Sequence, residues 1–246
     1  MTLIRVLTAV YAHPDDETFS GGGTFAKYSA AGVRCTLYCA TDGDAGKTSG
    51  LTISSREELG RVRRAELKAA ADILGFAVVD SGGHPDGGLG GIDQQILIGE
   101  IVRHLRRERP HVVVTFGPEG APNTHPDHRV ISRATTAAFF LAANASVFTE
   151  QLRDGVGPHQ AARLFFVTWP VPSDTAVLKT RGAPATVRID VRAHRDPELA
   201  AWRAHASQQA LQQRFDETAA TDEELFAFAA GTAQPAPMID DFFAGL

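Results

Sequence analysis

The sequence predicts an α/β fold, Rossmann-like and three-layered, with a mostly parallel central sheet and helices on both faces. Three observations carry that prediction. Apolar runs of strand length recur along the chain, Val6–Tyr11 and Val112–Phe116 among them, and strands buried on both faces of a parallel sheet read as such continuous runs. Segments with the 3.6-residue period of amphipathic helices alternate with these runs, most clearly over 55–74. Histidine- and aspartate-bearing clusters follow directly on two of the runs, where open α/β sheets collect ligand sites beyond the carboxyl ends of their strands.

In chain order, the first strand is expected over Ile4–Ala12 and a helix over Glu17–Ala31. Gly21-Gly22-Gly23 inside that helix is costly by propensity, so close packing must compensate for it. A phosphate-binding backbone is the alternative, but the triplet lacks the spacing of either standard phosphate motif. A second strand runs from Val33 to Ala40 and ends at Thr41, and the loop Asp42–Leu51 is placed to form a pocket wall. Cys35 and Cys39 fall on one face of this strand, too far apart along it to form a disulfide. Buried, reduced thiols are expected.

The helix over Ser55–Leu74 opens with the capping-box pattern Ser55-x-x-Glu58 and stops at Gly75. Its projected apolar stripe is Leu59, Val62, Ala70 and Ile73, with Arg63 and Glu66 at the edge. Either these two form a partly buried ion pair that orients the helix, or Arg63 reaches a substrate hydroxyl or phosphate. A short strand Phe76–Val79 precedes the loop Gly82–Gly88. Asp86 in that loop is a candidate substrate contact, although turn chemistry alone explains it, and His84 reads as a solvent-exposed loop residue. The next helical pattern begins near Ile92 and closes with Arg103, Arg106, Arg107 and Arg109, read as a solvated helix end where cations complement the dipole.

Beyond the strand Val112–Phe116 come a Gly/Pro loop and a helix reaching about Ala143. Asn144–Pro158 reads as a linker or cap. Strands follow at Leu164–Trp169 and Thr186–Val191, the second with Val187, Ile189 and Val191 inward and Arg188 and Asp190 outward. A helix over Pro197–Arg214 carries His205 and Gln208 on one face, where they either support the site from behind or simply pack on the sheet. The tail from Gly231 has little periodicity, and its Phe242-Phe243 pair can dock on the body or on another subunit. The expected organisation is one domain over 1–246, with 144–246 as its C-terminal extension.

With 246 residues the chain can bury a substantial core. A net charge of −5 argues against general nucleic-acid binding. No apolar run is long enough to span a bilayer, and the start of the chain lacks a signal-peptide pattern. The expectation is a soluble, cytoplasmic protein with a small-molecule partner; a homo-oligomer is compatible with the tail.

Two clusters carry the chemistry. Ala12-His13-Pro14-Asp15-Asp16-Glu17 follows the first strand. Imidazole and carboxylate together suit Zn²⁺ or Fe²⁺, whereas Pro14 and the aspartates equally suit a turn and a helix start. Thr124-His125-Pro126-Asp127-His128 follows the strand Val112–Phe116. With Pro126 as first helical residue, His125 is the cap and His128 lies three residues on, so both imidazoles share a face. A capped helix explains Pro126 and Asp127 but not two histidines. A catalytic zinc usually has three protein ligands and an open position; His13, Asp16 and His128 form such a set, leaving Asp15 and His125 for proton work.

The pairing of His-Pro-Asp-Asp-Glu with the later His-Pro-Asp-His resembles the LmbE-like, or GlcNAc-phosphatidylinositol de-N-acetylase, family. Thr41-Asp42-Gly43-Asp44-Ala45-Gly46, Arg63-Arg64-Ala65-Glu66-Leu67, Gly117-Pro118-Glu119-Gly120 and His205-Ala206-Ser207-Gln208 agree with it in order. The resemblance spans roughly residues 4 to 210 and implies a metal-dependent hydrolase that removes an N-acyl group, typically acetyl, from an N-acetylglucosamine-containing small molecule. It implies His13, Asp16 and His128 as ligands of Zn²⁺, with Fe²⁺ as the other candidate. Asp15 is then the proton acceptor, a protonated His125 the oxyanion partner, and Asp127 the group that orients an imidazole. The resemblance favours Arg63 as a substrate contact, beside Asp86, whose candidacy rests on its place at a strand's carboxyl end. Some relatives carry a tyrosine shortly before the first histidine of the second motif; Asn123 stands here. Two rivals are an amidase of a thiol conjugate, which keeps the metal, and a non-catalytic nucleotide-binding domain, which leaves the histidines unexplained.

Overall fold

The structure is a computed structural model that describes residues 4–169 and 182–246. Its strands are β1 (Val6–Tyr11), β2 (Arg34–Thr41), β3 (Phe76–His84), β4 (Val112–Phe116), β5 (Arg163–Thr168), β6 (Val187–Asp190) and β7 (Glu223–Gly231). They form one seven-stranded sheet in the order β3-β2-β1-β4-β5-β7-β6. The pairs from β3 through β5 are parallel, and β7 runs antiparallel to both β5 and β6. Every residue of β1 and β4 is buried, as their unbroken apolar runs require in central parallel strands.

The helices are α1 (Asp16–Phe19), α2 (Gly22–Ala30), α3 (Arg56–Leu74), α4 (Gln94–Glu108), α5 (Pro126–Leu141), α6 (Thr149–Arg153), α7 (Arg195–Ala204) and α8 (Gln212–Thr218). α2, α3 and α7 pack on one another, and α4 packs on α5, which gives the two helical layers. The chain leaves β1 towards β2 and β3, then returns through β4 on the other side of β1. The crevice at that reversal is the favoured ligand position of open α/β sheets. Both histidine motifs empty into it, one from β1 and one from β4.

Several local expectations are corrected. The first helix is broken into α1 and α2 at Ser20-Gly21, with Gly21 at φ +149. A Cβ on Gly22 would lie 2.9 Å from Glu198 Cγ, and one on Gly23 2.7 Å from Val191 Cβ, so close packing accounts for the triplet. The amides of Gly23 and Thr24 each donate to the Glu224 carboxylate at 2.9 Å, so the chain's own β7 fills the place a phosphate would take. On α3 Ser55 caps Glu58 N at 3.1 Å and Gly75 ends the helix in the left-handed region, but the Glu58 carboxylate turns to Ser54. The buried face of α3 contains Arg63 and Glu66, while Ile73 is exposed.

β3 extends to His84, whose ring is held 2.8 Å from Glu100, so His84 is not a free loop residue. Arg106 is 1% exposed and donates to the carbonyls of Ala142, Asn144, Val147 and Phe148. It fastens the segment after α5 rather than solvating a helix end. That segment contains α6, and the expected helix over 197–214 breaks at His205 into α7, a 3₁₀ turn and α8. β7 has no counterpart among the predicted strands. Cys35 and Cys39 are free and buried. Phe242 stacks on Tyr28 and Phe165 at centroid distances of 5.5 and 4.8 Å, docking the tail on the body. Among the described residues, no helix is long and apolar enough to cross a membrane.

Candidate active site

β1 ends at Tyr11, and the chain turns at once so that His13, Asp15 and Asp16 face the crevice. The turn is closed on itself: Asp16 N donates to His13 O at 3.2 Å, and His13 N donates to Asp16 Oδ2 at 2.8 Å. From the other side, His125 is the N-cap of α5 and Pro126 its first residue. His128, one turn in, lies flat on Phe116 of β4 with centroids 3.9 Å apart. The two motifs meet in a cavity of about 390 Å³ lined by His13, Asp15, Asp16, Arg63, Asp86, His125 and His128 among others. Asp127 is fully buried behind them.

Three donor groups converge. His13 Nδ1 lies 3.2 Å from His128 Nε2 and 3.4 Å from Asp16 Oδ2, and His128 Nε2 lies 3.3 Å from Asp16 Oδ1. Tetrahedral ligation with bonds near 2.0–2.1 Å places ligand atoms roughly 3.3 Å apart; the two imidazole nitrogens are that far from each other, and the Asp16 carboxylate reaches each ring at a similar distance with a different oxygen. The opposite edge of the His13 ring fixes which nitrogen is free to ligate. Its Nε2 lies 3.1 Å from Asp86 Oδ1 and 3.4 Å from Asp127 Oδ2, an edge that would keep the ring proton on Nε2 and leave Nδ1 to a cation when one is bound. Among the described residues, the groupings that bring one donor atom of each residue within 4.8 Å of the others both contain His13, one with His125 and His128 and one with Asp86 and Asp127. The second uses Nε2, where Asp127 is already committed to the amides of Gly87 and Leu89 at 2.7 and 3.2 Å.

The electrostatics follow from this crowding. Burial opposes ionisation of Asp16, but the imidazoles of His128 and His13 hold its carboxyl well below the usual range. Burial would lower His13, and the carboxylates of Asp127, Asp16 and Asp86 raise it well above its ordinary value instead. Such a concentration of carboxylates around two imidazoles is the environment a divalent cation satisfies. Burial pushes the Asp15 carboxyl up to about 6 against the pull of Arg63, with Asp16 adding to the rise. Its surroundings differ from those of Asp16: it faces Arg63 Nη2 at 3.1 Å rather than the histidine pair.

His125 is pushed below its ordinary pKa by burial and by the neighbouring His13 and His128. Its Nδ1 accepts the helix-start amide of Asp127 at 3.2 Å. A second proton there would set two donors face to face, which favours a neutral ring with its proton on Nε2 over the protonated form expected from the sequence.

Arg63 does not pair with Glu66. Its guanidinium donates to Gly43 O at 2.9 Å and to Pro14 O, and approaches Asp86 Oδ2 at 3.8 Å. Glu66 instead accepts from Ser207 N and Oγ at 2.8 and 2.6 Å. Asp86 is held in place by Asp44, which accepts its amide at 2.7 Å. Gln208 joins the lining and clasps the Lys47 backbone, donating to its carbonyl at 2.9 Å. Phe19, Lys47, Leu211 and Arg214 also line the cavity and were not singled out from the sequence, where nothing distinguishes a lining leucine or lysine from an ordinary surface one.

An α/β fold whose switch-point crevice gathers two imidazoles and one carboxylate, with a second carboxylate beside them, has the donor set of a metal-dependent hydrolase. Residues 8–139 match the family PIG-L, GlcNAc-PI de-N-acetylase, and the chain belongs to that family. It is 32% identical over 244 residues to 1D-myo-inositol 2-acetamido-2-deoxy-alpha-D-glucopyranoside deacetylase of Rhodococcus jostii (strain RHA1), covering 83% of this chain and 82% of the relative. Among solved structures, N,N'-diacetylchitobiose deacetylase from Pyrococcus horikoshii superposes with a TM-score of 0.73 at 21% identity, covering 92% of this chain and 84% of the other. GalB, the 4-carboxy-2-hydroxymuconate hydratase from Pseudomonas putida KT2440, gives 0.75 at 17% identity over 95% of this chain and 99% of that one. Chains named for different reactions share this fold, so the fold alone does not decide the chemistry.

Proposed function

We propose that this chain is a metal-dependent N-deacetylase acting on an N-acetylglucosamine-containing small molecule, with His13, Asp16 and His128 as metal ligands. The convergence of the His13 and His128 nitrogens with the Asp16 carboxylate at 3.2–3.4 Å carries this reading, and membership of the de-N-acetylase family supports it. A bound Zn²⁺ or Fe²⁺ supplies Lewis acidity, which acidifies water and polarises an acyl carbonyl.

The remaining steps belong to side chains. Asp15, with a pKa near 6, is matched to proton transfer close to neutral pH. It takes the proton of the attacking water as the new C–O bond forms, and returns it to the amide nitrogen as the C–N bond breaks. The products are acetate and a primary amine. His125 presents Nε2–H to the acyl oxygen, where a preorganised donor contributes a few kcal/mol as charge develops. Asp127 fixes the His13 tautomer and, through Gly87 and Leu89, the loop that presents Asp86. Asp86 faces the cavity and is the substrate contact we assign to hydroxyl groups of the sugar. The curated relative's name supplies the first substrate to test, the acetamido-glucopyranoside of 1D-myo-inositol. The experiment is acetate and amine release from that glycoside and from simpler N-acetylglucosaminides, alongside metal analysis. Release of a larger acyl group in preference to acetate would overturn the deacetylase reading.

A further inference from the structure

Behind the cavity wall lies a buried pair that the reaction itself does not use. Asp15 has φ +116 and ψ −23, a region that costs a residue bearing a Cβ about 1–3 kcal/mol and persists only where the surroundings impose it. The peptide joining Pro14 to Asp15 is gripped at both ends. Its carbonyl accepts from the Arg63 guanidinium, and its N–H donates to Glu17 Oε2 at 3.0 Å. The other oxygen of Glu17 accepts from Thr18 Oγ1 at 2.7 Å and lies 2.7 Å from His205 Nε2.

Glu17 and His205 are 1% and 0% exposed, and neither lines the cavity. Among the described residues the Nδ1 of His205 has no hydrogen-bond partner, so the ring directs its Nε2–H towards Glu17. His205 turns inward at the break between α7 and the following 3₁₀ turn, and that break is itself fastened by Ser207 on Glu66. For stability alone a buried carboxylate–imidazole pair gains little over apolar packing. This one ends on the amide of the strained residue.

We propose that Glu17 and His205 are positioning residues. They hold the Pro14–Asp15 peptide in its strained orientation, so that Asp15 faces the reacting amide while Asp16, the next residue, faces the histidines. Without the Glu17 acceptor, the peptide relaxes by rotation and carries the Asp15 carboxylate with it. The inference rests on the reading of Asp15 as proton acceptor.

Glu17→Gln tests it with little change in volume. The amide has one accepting end, so either the Asp15 N–H or the His205 N–H is left facing an NH₂ group. Expected are a fall in kcat of about 10–100-fold, part of what a general base supplies, and a KM within about threefold of wild type. Bound metal should stay at wild-type stoichiometry, and hydrogen exchange at the Asp15 amide should accelerate. His205→Leu should reproduce this pattern, and His205→Gln, which keeps a donor near the Nε2 position, should recover most of kcat. An unchanged kcat and exchange rate in Glu17→Gln overturns the proposal. So does a loss of kcat that excess metal restores, or a His205→Gln as impaired as His205→Leu. If the wild-type protein hydrolyses no N-acetylglucosaminide, the activity reading fails separately, and exchange at the Asp15 amide still decides whether the pair holds that peptide.

Discussion

Arg63→Ala separates two roles that a pocket arginine can play. The guanidinium is 2% exposed and is committed inward, to Gly43 O, Pro14 O and the carboxylate of Asp15. Its cradle is close-fitting: a Cβ on Gly43 or Gly46 would fall 2.3 Å from Nη1. Removing it strands two carbonyls and leaves a buried carboxylate without its cation, and breaking such a pair costs about 3–5 kcal/mol. For a chain of this size that corresponds to a fall in Tm of roughly 6–20 °C, read by calorimetry with metal present. The acid limb of the pH–rate profile should also move up, because Arg63 opposes the rise of Asp15 to about 6. Steady-state kinetics should show kcat falling by more than KM rises, the reverse of what a substrate-binding arginine gives. Arg63→Lys should recover little, since one ammonium cannot span Gly43, Pro14 and Asp15 as the planar fork does. A KM raised tenfold or more with kcat and Tm nearly unchanged, the pattern of uniform binding, would refute this reasoning and restore Arg63 as a direct substrate contact.

Three further substitutions divide the site and its support. Asp16→Ala should abolish stoichiometric metal, whereas Asp15→Asn should retain metal and lose about 10²–10⁴-fold in kcat; mass spectrometry of bound metal beside kinetics checks both, and the roles exchange if Asp15→Asn alone releases it. Away from the site, burial and the nearby Glu224 carboxylate raise Glu198 to about 9. Its native form therefore keeps a proton that the unfolded chain loses above about pH 4.5, and stability declines as pH rises from there towards 9. Glu198→Gln removes that decline and should exceed wild type by a margin that grows by about 1.4 kcal/mol per pH unit, to about 5 kcal/mol at pH 8, while nearly matching it near pH 4.5, measured by urea unfolding. A gap independent of pH would contradict the assignment.

Much of this was legible in the sequence, for physical reasons that also mark the limit. β1 and β4 read as central strands because burial on both faces demands unbroken apolar runs. Pro126 placed the start of α5 and so set His125 and His128 on one face. His13, Asp15, Asp16, Arg63, Asp86, His125 and His128 are brought to one cavity, with Asp127 buried behind them. What failed was whatever depends on partners distant in sequence. Arg63 and Glu66 sit on the buried face of α3 because Asp15 and Ser207 await them there, a compensation no helical projection contains. β7 escaped because Glu223–Gly231 mixes alanine with acidic residues and becomes a strand only by pairing with β5 and β6. Arg106 read as solvated because its carbonyl acceptors lie 36 to 42 residues ahead. His205 broke an expected helix for the same reason, its partner Glu17 lying 188 residues earlier.

The most direct test of the account is one preparation measured twice: metal content per chain, and acetate released from the acetamido-glucopyranoside of 1D-myo-inositol, before and after chelation. Expected are close to one Zn²⁺ or Fe²⁺ per chain, acetate and primary amine in equal amounts, loss of both metal and turnover on chelation, and return of both when the ion is restored. Acetate release at an undiminished rate from rigorously metal-free protein would contradict it.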